Sequence, residues 1–350
     1  MNKVLVKTRR ETEYDLLRVI SLLGVIVIHV CAMQWRKLEP GTGEWTVLHV
    51  YDMLCKFSVP VFFMISGRFM LDPARNCTVK KMLKKAFHIG VVFVFWSAVY
   101  TLLNIGRVLH GGGELLENKW LFVEFFTGEY HMWFLFTIAG LYILTPLLRY
   151  IAASLEMSGY YLALFLVFGS VLPFLEKMPS GGAILAAMNG KLLLDMAVGY
   201  SGYYLMGHWL REEKLSPKAE KWLYFGGFAG AVFTVTVTWI ASCVSGNANE
   251  ELAYYLMPNV VLTAAAIYHF VISHGRQLKQ SKWISKLAEL SFGCYLVHPL
   301  FLWIFEWIGL MPTLLHPVIM VPILTGITLL LSLGVTLVMK KVPLLRSVVS

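Results

Sequence analysis

Apolar runs of 18 to 23 residues, parted by short polar or charged segments, recur from one end of this chain to the other. An α-helix rises ~1.5 Å per residue, so about 20 apolar residues cross a hydrocarbon core ~30 Å thick. Ten such runs can be read: 13–33, 49–71, 86–106, 132–151, 159–176, 191–210, 222–243, 253–273, 287–308 and 317–339. The pattern predicts an all-α, polytopic membrane bundle of about ten transmembrane helices, organised as a single membrane domain over 1–350. The longest connection, 107–131, mixes Gly111-Gly112-Gly113 with Glu114, Glu117, Trp120, Phe125 and Phe126, which suggests a short helix lying at the membrane interface.

The polar positions between the runs set the orientation. With the N-terminus inside, the cytoplasmic loops collect 21 Lys and Arg residues and the outer loops six, while Arg18, Lys56 and Arg68 remain within spans. Such an excess places both termini in the cytoplasm. A net charge of +9 would suggest nucleic acid in a soluble chain, but here the positive-inside rule accounts for it. The composition, 57% hydrophobic and 15% charged, agrees with a membrane protein. The five cysteines have no metal-ligand or disulfide spacing, and no bound cofactor or metal is expected. The basic start precedes a span too long and too charged for a cleaved signal, so the first helix reads as a retained anchor. No internal repeat at a fixed period is evident.

Ionisable side chains inside a span are expensive and mark functional sites. The first span carries Asp15, Arg18 and His29. Asp15 and Arg18 are three residues apart and share a face. His29 lies eleven residues beyond Arg18, near three full turns, which places it on nearly the same face about 16 Å along the axis. The second span holds Val59-Pro60-Val61-Phe62-Phe63-Met64-Ile65-Ser66-Gly67-Arg68. Ser66-Gly67 reads first as a close-packing seam and Pro60 as a kink. Arg68 either snorkels or joins Arg18 and the basic segment after it as an anion clamp. The fourth span opens with His131-Met132-Trp133, where an aromatic belt and a polar contact to substrate are equally open readings. The ninth span carries Tyr295-Leu296-Val297-His298-Pro299. Tyr295 and His298 share a face, Pro299 opens the helix ladder, and His298 is either a satisfied bundle histidine or a catalytic one. Asp195 in the sixth span needs a basic partner that the sequence does not select.

Together these segments resemble the acyltransferase 3 family, polytopic membrane acyltransferases of bacteria. The matching pieces are Asp15-Leu16-Leu17-Arg18 with His29, Val59 to Gly67, His131 to Leu135 with Tyr142 and Pro146, and Gly293 to Pro299. Val30 stands where some members carry a second histidine, and Arg68 where an apolar or aromatic residue is expected. The resemblance implies transfer of an acyl group, acetyl by default, from cytoplasmic acetyl-CoA or another acyl-CoA. The acceptor would be a hydroxyl of a surface polysaccharide, cell-wall glycan or lipid-linked precursor, at the bacterial plasma membrane. It maps His29 to the catalytic histidine and Arg18 to the donor-holding arginine. Asp15 then orients Arg18, and Arg68, Arg75, Lys80, Lys81 and Ser66 are expected on the donor side, with Lys84 and Lys85 nearby. His131, Trp133, Tyr295 and His298 are expected on the acceptor side or as bundle polar groups. Chemically, His29 acts as general base on the acceptor hydroxyl, with a covalent acyl-histidine as the less economical route. The rival from another class is a transporter or flippase of a lipid-linked sugar, which would use the same buried charges and broken helices.

Overall fold

A computed structural model gives the tertiary structure, described for residues 11–110, 120–178, 181–192, 194, 199–212, 214–279 and 281–350. The described elements are helical throughout and include no strand. In chain order they are α1 (Thr12–Trp35), α2 (Gly43–Cys55), α3 (Ser58–Met70), α4 (Val79–His110), α5 (Trp120–Thr127) and α6 (Trp133–Ala152). Next come α7 (Leu155–Leu166), which continues through a π-helical turn into α8 (Leu172–Leu175), α9 (Gly182–Leu192) and α10 (Ser201–Glu212). The chain finishes with α11 (Pro217–Ser245), α12 (Pro258–Gly275), α13 (Lys282–Trp307), α14 (Pro317–Lys341) and α15 (Pro343–Arg346).

Among the described residues, nine helical stretches are long and apolar enough to cross a membrane. They match nine of the ten expected runs. The sixth, 191–210, falls across the end of α9 and the start of α10, with 193 and 195–198 outside the described residues, so Asp195 has no described surroundings. Of the expected interfacial segment, Trp120–Thr127 is helical and 111–119 lies outside the description.

Two kinds of helix make up the bundle. More than half of the apolar window is buried in α1, in the stretch Gly43–Met70, in Glu251–Gly275 and in α13. In the others about a third or less is buried, and side chains such as Phe87, Leu147 and Phe228 stay exposed. Helices buried on most sides form the inside, and those with one apolar face outward meet lipid. α1 is the hub: it packs on α2, α3, α12, α13 and α14.

Side-chain pairs mark the two ends. At the Arg18 end of α1, Ser285 at the start of α13 donates to Asp15, Arg276 after α12 pairs with Glu13, and Arg149 late in α6 donates to the Met70 and Asp72 carbonyls. Lys340 at the end of α14 pairs with Glu289 near the start of α13, so the last long helix finishes where the first begins. At the opposite end, Lys37 reaches Glu306 at the end of α13.

The second expected run is two helices rather than one. Pro60 has no N–H to donate to the Lys56 carbonyl four residues back, and the chain breaks at Lys56-Phe57 before α3 resumes. Ser66-Gly67 is a packing seam. A Cβ on Gly67 would lie 1.7 Å from the Tyr204 carbonyl oxygen, and one on Gly207 would lie 2.0 Å from that of Met64. The backbones of α3 and α10 thus touch directly, as small residues allow in membranes.

Candidate functional site

The centre of the site is built by one proline. Pro299 lies inside α13 and offers no N–H to the Tyr295 carbonyl, leaving an acceptor in the middle of the bundle without its helical donor. His298 fills the gap, with Nδ1 2.7 Å from that carbonyl oxygen. A carbonyl only accepts, so Nδ1 carries the proton and Nε2 of the neutral ring keeps its lone pair. His298 Nε2 lies 2.7 Å from Nδ1 of His29 on α1. His29 Nδ1 is therefore the donor there, and His29 Nε2 holds the free lone pair. The two rings lie nearly parallel with centroids 4.9 Å apart, and His298 is fully buried. The arrangement, carbonyl to His298 to His29, fixes one tautomer and leaves a base at the end of the chain.

Two cavities meet at this base. A narrow one of ≈ 180 Å³ runs from Arg18 to His29 between apolar walls that include Val25, Phe62 and Ile138. A wider one of ≈ 730 Å³ runs from His29 to the opposite end, past Lys56 and Glu250 to Arg36 and Glu306. Ile28, His29, Trp133 and Tyr255 line both, and the Trp133 and Tyr255 rings stack 5.7 Å apart. His29 is thus reachable from either end of its own helix.

The wide cavity is charged but balanced. Lys56, at the break between α2 and α3, lies 3.2 Å from Asp52 and 2.8 Å from Glu250. Arg36 also pairs with Glu250, and Lys37 lies 2.7 Å from Glu306. Lys56 and Asp52 are buried, and each offsets the other where an isolated charge would be costly. Burial alone would raise the Glu250 carboxyl, but the charges and hydrogen bonds of Lys56 and Arg36 hold it below its ordinary range.

The narrow cavity ends at the Asp15–Arg18 pair, 3.4 Å apart. Ser285 donates to the other Asp15 oxygen at 2.8 Å, so the carboxylate is fixed between α1 and α13. The Arg18 guanidinium lies over the Phe69 ring at 5.0 Å, and those of Arg75 and Arg68 approach the same ring at 4.6 and 5.7 Å. Arg68 is buried and bonded to Asp72 at 2.8 Å and Glu11 at 3.4 Å; it lines neither cavity. Arg75, Lys81, Lys84 and Lys85 line a surface groove of ≈ 660 Å³ beside this end, while Lys80 is exposed outside it. Lys85 reaches over Tyr142, which lines the narrow cavity, so groove and cavity adjoin.

A family model of an acyltransferase domain matches residues 11–337, nearly the whole chain. The chain belongs to the acyltransferase 3 family. Comparison with curated proteins and with solved structures returned no significant match. Family and fold together make this a multi-pass membrane acyltransferase. In this acyltransferase 3 chain, Arg18, His29, Ser66, His131, Trp133 and Tyr295 converge on the narrow cavity, and His298 supports His29 from behind it. His131 faces the narrow cavity, not the wide one. Among the described residues, no group of three or more His, Cys, Asp and Glu side chains converges as metal ligands would. Sequence reasoning left out Asp52, Glu250 and Arg36. The spacing of Asp52 and Lys56, four residues apart inside an apolar run, was the one local signal. Glu250 and Arg36 sit in loops and carry none.

Proposed function

We propose that the protein moves a short acyl group, acetyl by preference, from acyl-CoA to a hydroxyl of a glycan or lipid-linked sugar. The observation that carries this reading is the position of His29. It ends a hydrogen-bonded relay with its lone pair free, on the wall shared by two cavities that open towards opposite ends of α1. A reaction between two substrates arriving from opposite sides of a membrane needs such a meeting point.

The donor belongs to the Arg18 end. CoA phosphates suit the groove of Arg75, Lys81, Lys84 and Lys85, and the pantetheine arm suits the adjoining narrow cavity, whose apolar walls and ≈ 180 Å³ favour a small acyl group. Arg18, steadied by Asp15, meets the donor on the way in. With this end in the cytoplasm of a bacterial cell, in line with the basic loops on that side, the donor comes from the soluble pool. The acceptor belongs to the wide cavity, where Trp133, Tyr255 and the paired charges offer stacking faces and hydrogen bonds to a polyol.

At His29 the acceptor O–H gives its proton to Nε2 while its oxygen attacks the thioester carbonyl. The C–O bond forms, the C–S bond breaks, and the CoA sulfur leaves with the proton from His29. His298 and the Tyr295 carbonyl stabilise the imidazolium as it forms, because the chain of N–H bonds points towards an acceptor.

The test is release of CoA thiol from acetyl-CoA by protein purified in detergent, with extracted envelope glycolipid as acceptor source. Wild type is expected to turn over, His29→Ala to lose release, and Arg18→Ala to raise KM for acetyl-CoA. No release by wild type would remove this reading and bring forward transport of a lipid-linked sugar.

A further inference from the structure

His131 is only 2% exposed, yet neither ring nitrogen has a hydrogen-bond partner. A neutral imidazole always presents one N–H and one lone pair, and buried polar groups in folded proteins are nearly always paired. The ring cannot turn away to find water. It is wedged edge-on against Tyr100, Tyr295 and His298, with centroids 5.3, 5.4 and 5.6 Å away. Its backbone is tied as well, since the Tyr295 hydroxyl donates to the His131 carbonyl. A side chain held this firmly with its polar atoms unused is arranged for a partner that arrives.

The partner comes through the narrow cavity, because His131 lines that cavity together with His29 and does not line the wide one. Three hydroxyls close to this point are occupied. The Tyr295 hydroxyl is bound to the His131 carbonyl, the Tyr100 hydroxyl to the Leu296 carbonyl, and Ser291 to the Ala288 carbonyl. His29 spends its N–H on His298, and His298 spends its own on the Tyr295 carbonyl.

Resting on the acyl-transfer reading above, we propose that the His131 ring N–H holds the thioester carbonyl oxygen and stabilises the oxyanion formed when the acceptor attacks. His29 and His131 thereby divide the work. His29 Nε2 takes the acceptor proton, and His131 donates to the carbonyl oxygen as the electron pair moves onto it. When the C–S bond breaks, the carbonyl re-forms, the hydrogen bond slackens, and the sulfur leaves with the proton from His29. A preorganised donor in a dry site is effective for this purpose because it needs no reorientation during the reaction.

The experiment measures CoA release by the full-length protein in detergent, from acetyl-CoA with extracted envelope glycolipid as acceptor source. It compares wild type, His29→Ala, His131→Phe, His131→Asn and His131→Gln, and measures CoA binding to each by calorimetry. Losing one oxyanion donor costs about 100- to 1,000-fold in kcat. His131→Phe and His131→Asn are expected to lose at least the lower figure while CoA binding stays close to that of wild type. His131→Gln, whose longer amide still presents an N–H, is expected to recover about tenfold over His131→Phe. A purely structural His131 would lower CoA binding and thermal stability together and show no rescue by Gln, which overturns the proposal. If His131→Phe does not purify as a monodisperse protein, His131→Asn decides on the same criteria. A wild type that turns over, a silent His29→Ala and a His131→Phe with nearly full kcat would leave acyl transfer standing and remove this role. A silent wild type removes both.

Discussion

Replacing Pro299 by alanine should make α13 more stable and the enzyme slower, and both effects come from the Tyr295 carbonyl. Proline inside a helix is about 3 kcal/mol less favourable than alanine. Part of that penalty is already relieved here, because His298 occupies the carbonyl that Pro299 leaves open, at 2.7 Å. In Pro299→Ala the new N–H at position 299 competes for that carbonyl and straightens the helix around it. The relay to His29 then loses one neutral hydrogen bond, worth about 1 kcal/mol net, which is about fivefold in rate. The expected result is a thermal midpoint in detergent equal to or above that of wild type, with kcat for CoA release down about fivefold. KM for acyl-CoA should stay unchanged, because the narrow cavity proposed for the donor does not include position 299. His298→Ala removes the whole acceptor for His29 Nδ1 and should cost more, about 10- to 100-fold, since that bond strengthens as His29 becomes charged. A Pro299→Ala protein with raised stability and undiminished kcat would refute the idea that the open carbonyl sets the base.

Gly67→Ala should yield little folded protein by size-exclusion chromatography, because its Cβ meets the Tyr204 backbone at 1.7 Å and no rotamer relieves it, whereas Gly90→Ala, with nothing within 4 Å, should purify normally. Lys56→Met leaves the Asp52 carboxylate buried without its cation and should cost about 3–5 kcal/mol, read as a large fall in thermal midpoint. Lys56→Met combined with Asp52→Leu should recover much of that loss, and a double-mutant cycle measures how much. Glu129, ahead of α6, is raised to about 8 by burial and then by the hydrogen bond and charge of Glu124. The folded state therefore binds a proton that the unfolded state has released, so stability is greatest at acid pH and falls as pH rises from about 4.5 towards 8. Thermal midpoints across that range should slope downward in wild type, and Glu129→Gln should flatten the slope.

Parts of the site were legible because their signal is local. Asp15, Arg18 and His29 stand out as ionisable groups in an apolar run, and helical geometry alone puts them on nearly one face. Pro299 announced an open helix ladder beside His298, without saying which carbonyl partner would use it. Arg68 read equally well as an anion clamp, and only its neighbours Asp72 and Glu11 commit it to a structural pair. Lys56 was visible as a charge in a span, but Glu250, which completes its surroundings, lies 194 residues away.

By itself the sequence determined the class of the molecule, the positions of most spans and the first helix as the one that carries Asp15, Arg18 and His29. Hydrophobic length and the expense of charge in lipid act through a residue and its near neighbours, and so are written along the chain. The tertiary structure alone decided that His298 and not a carboxylate backs His29, that two cavities converge there, and that His131 turns to the narrow one. Those facts depend on how α1, α6 and α13 approach one another. That approach is set by close packing between residues far apart in the chain, for which no local pattern exists.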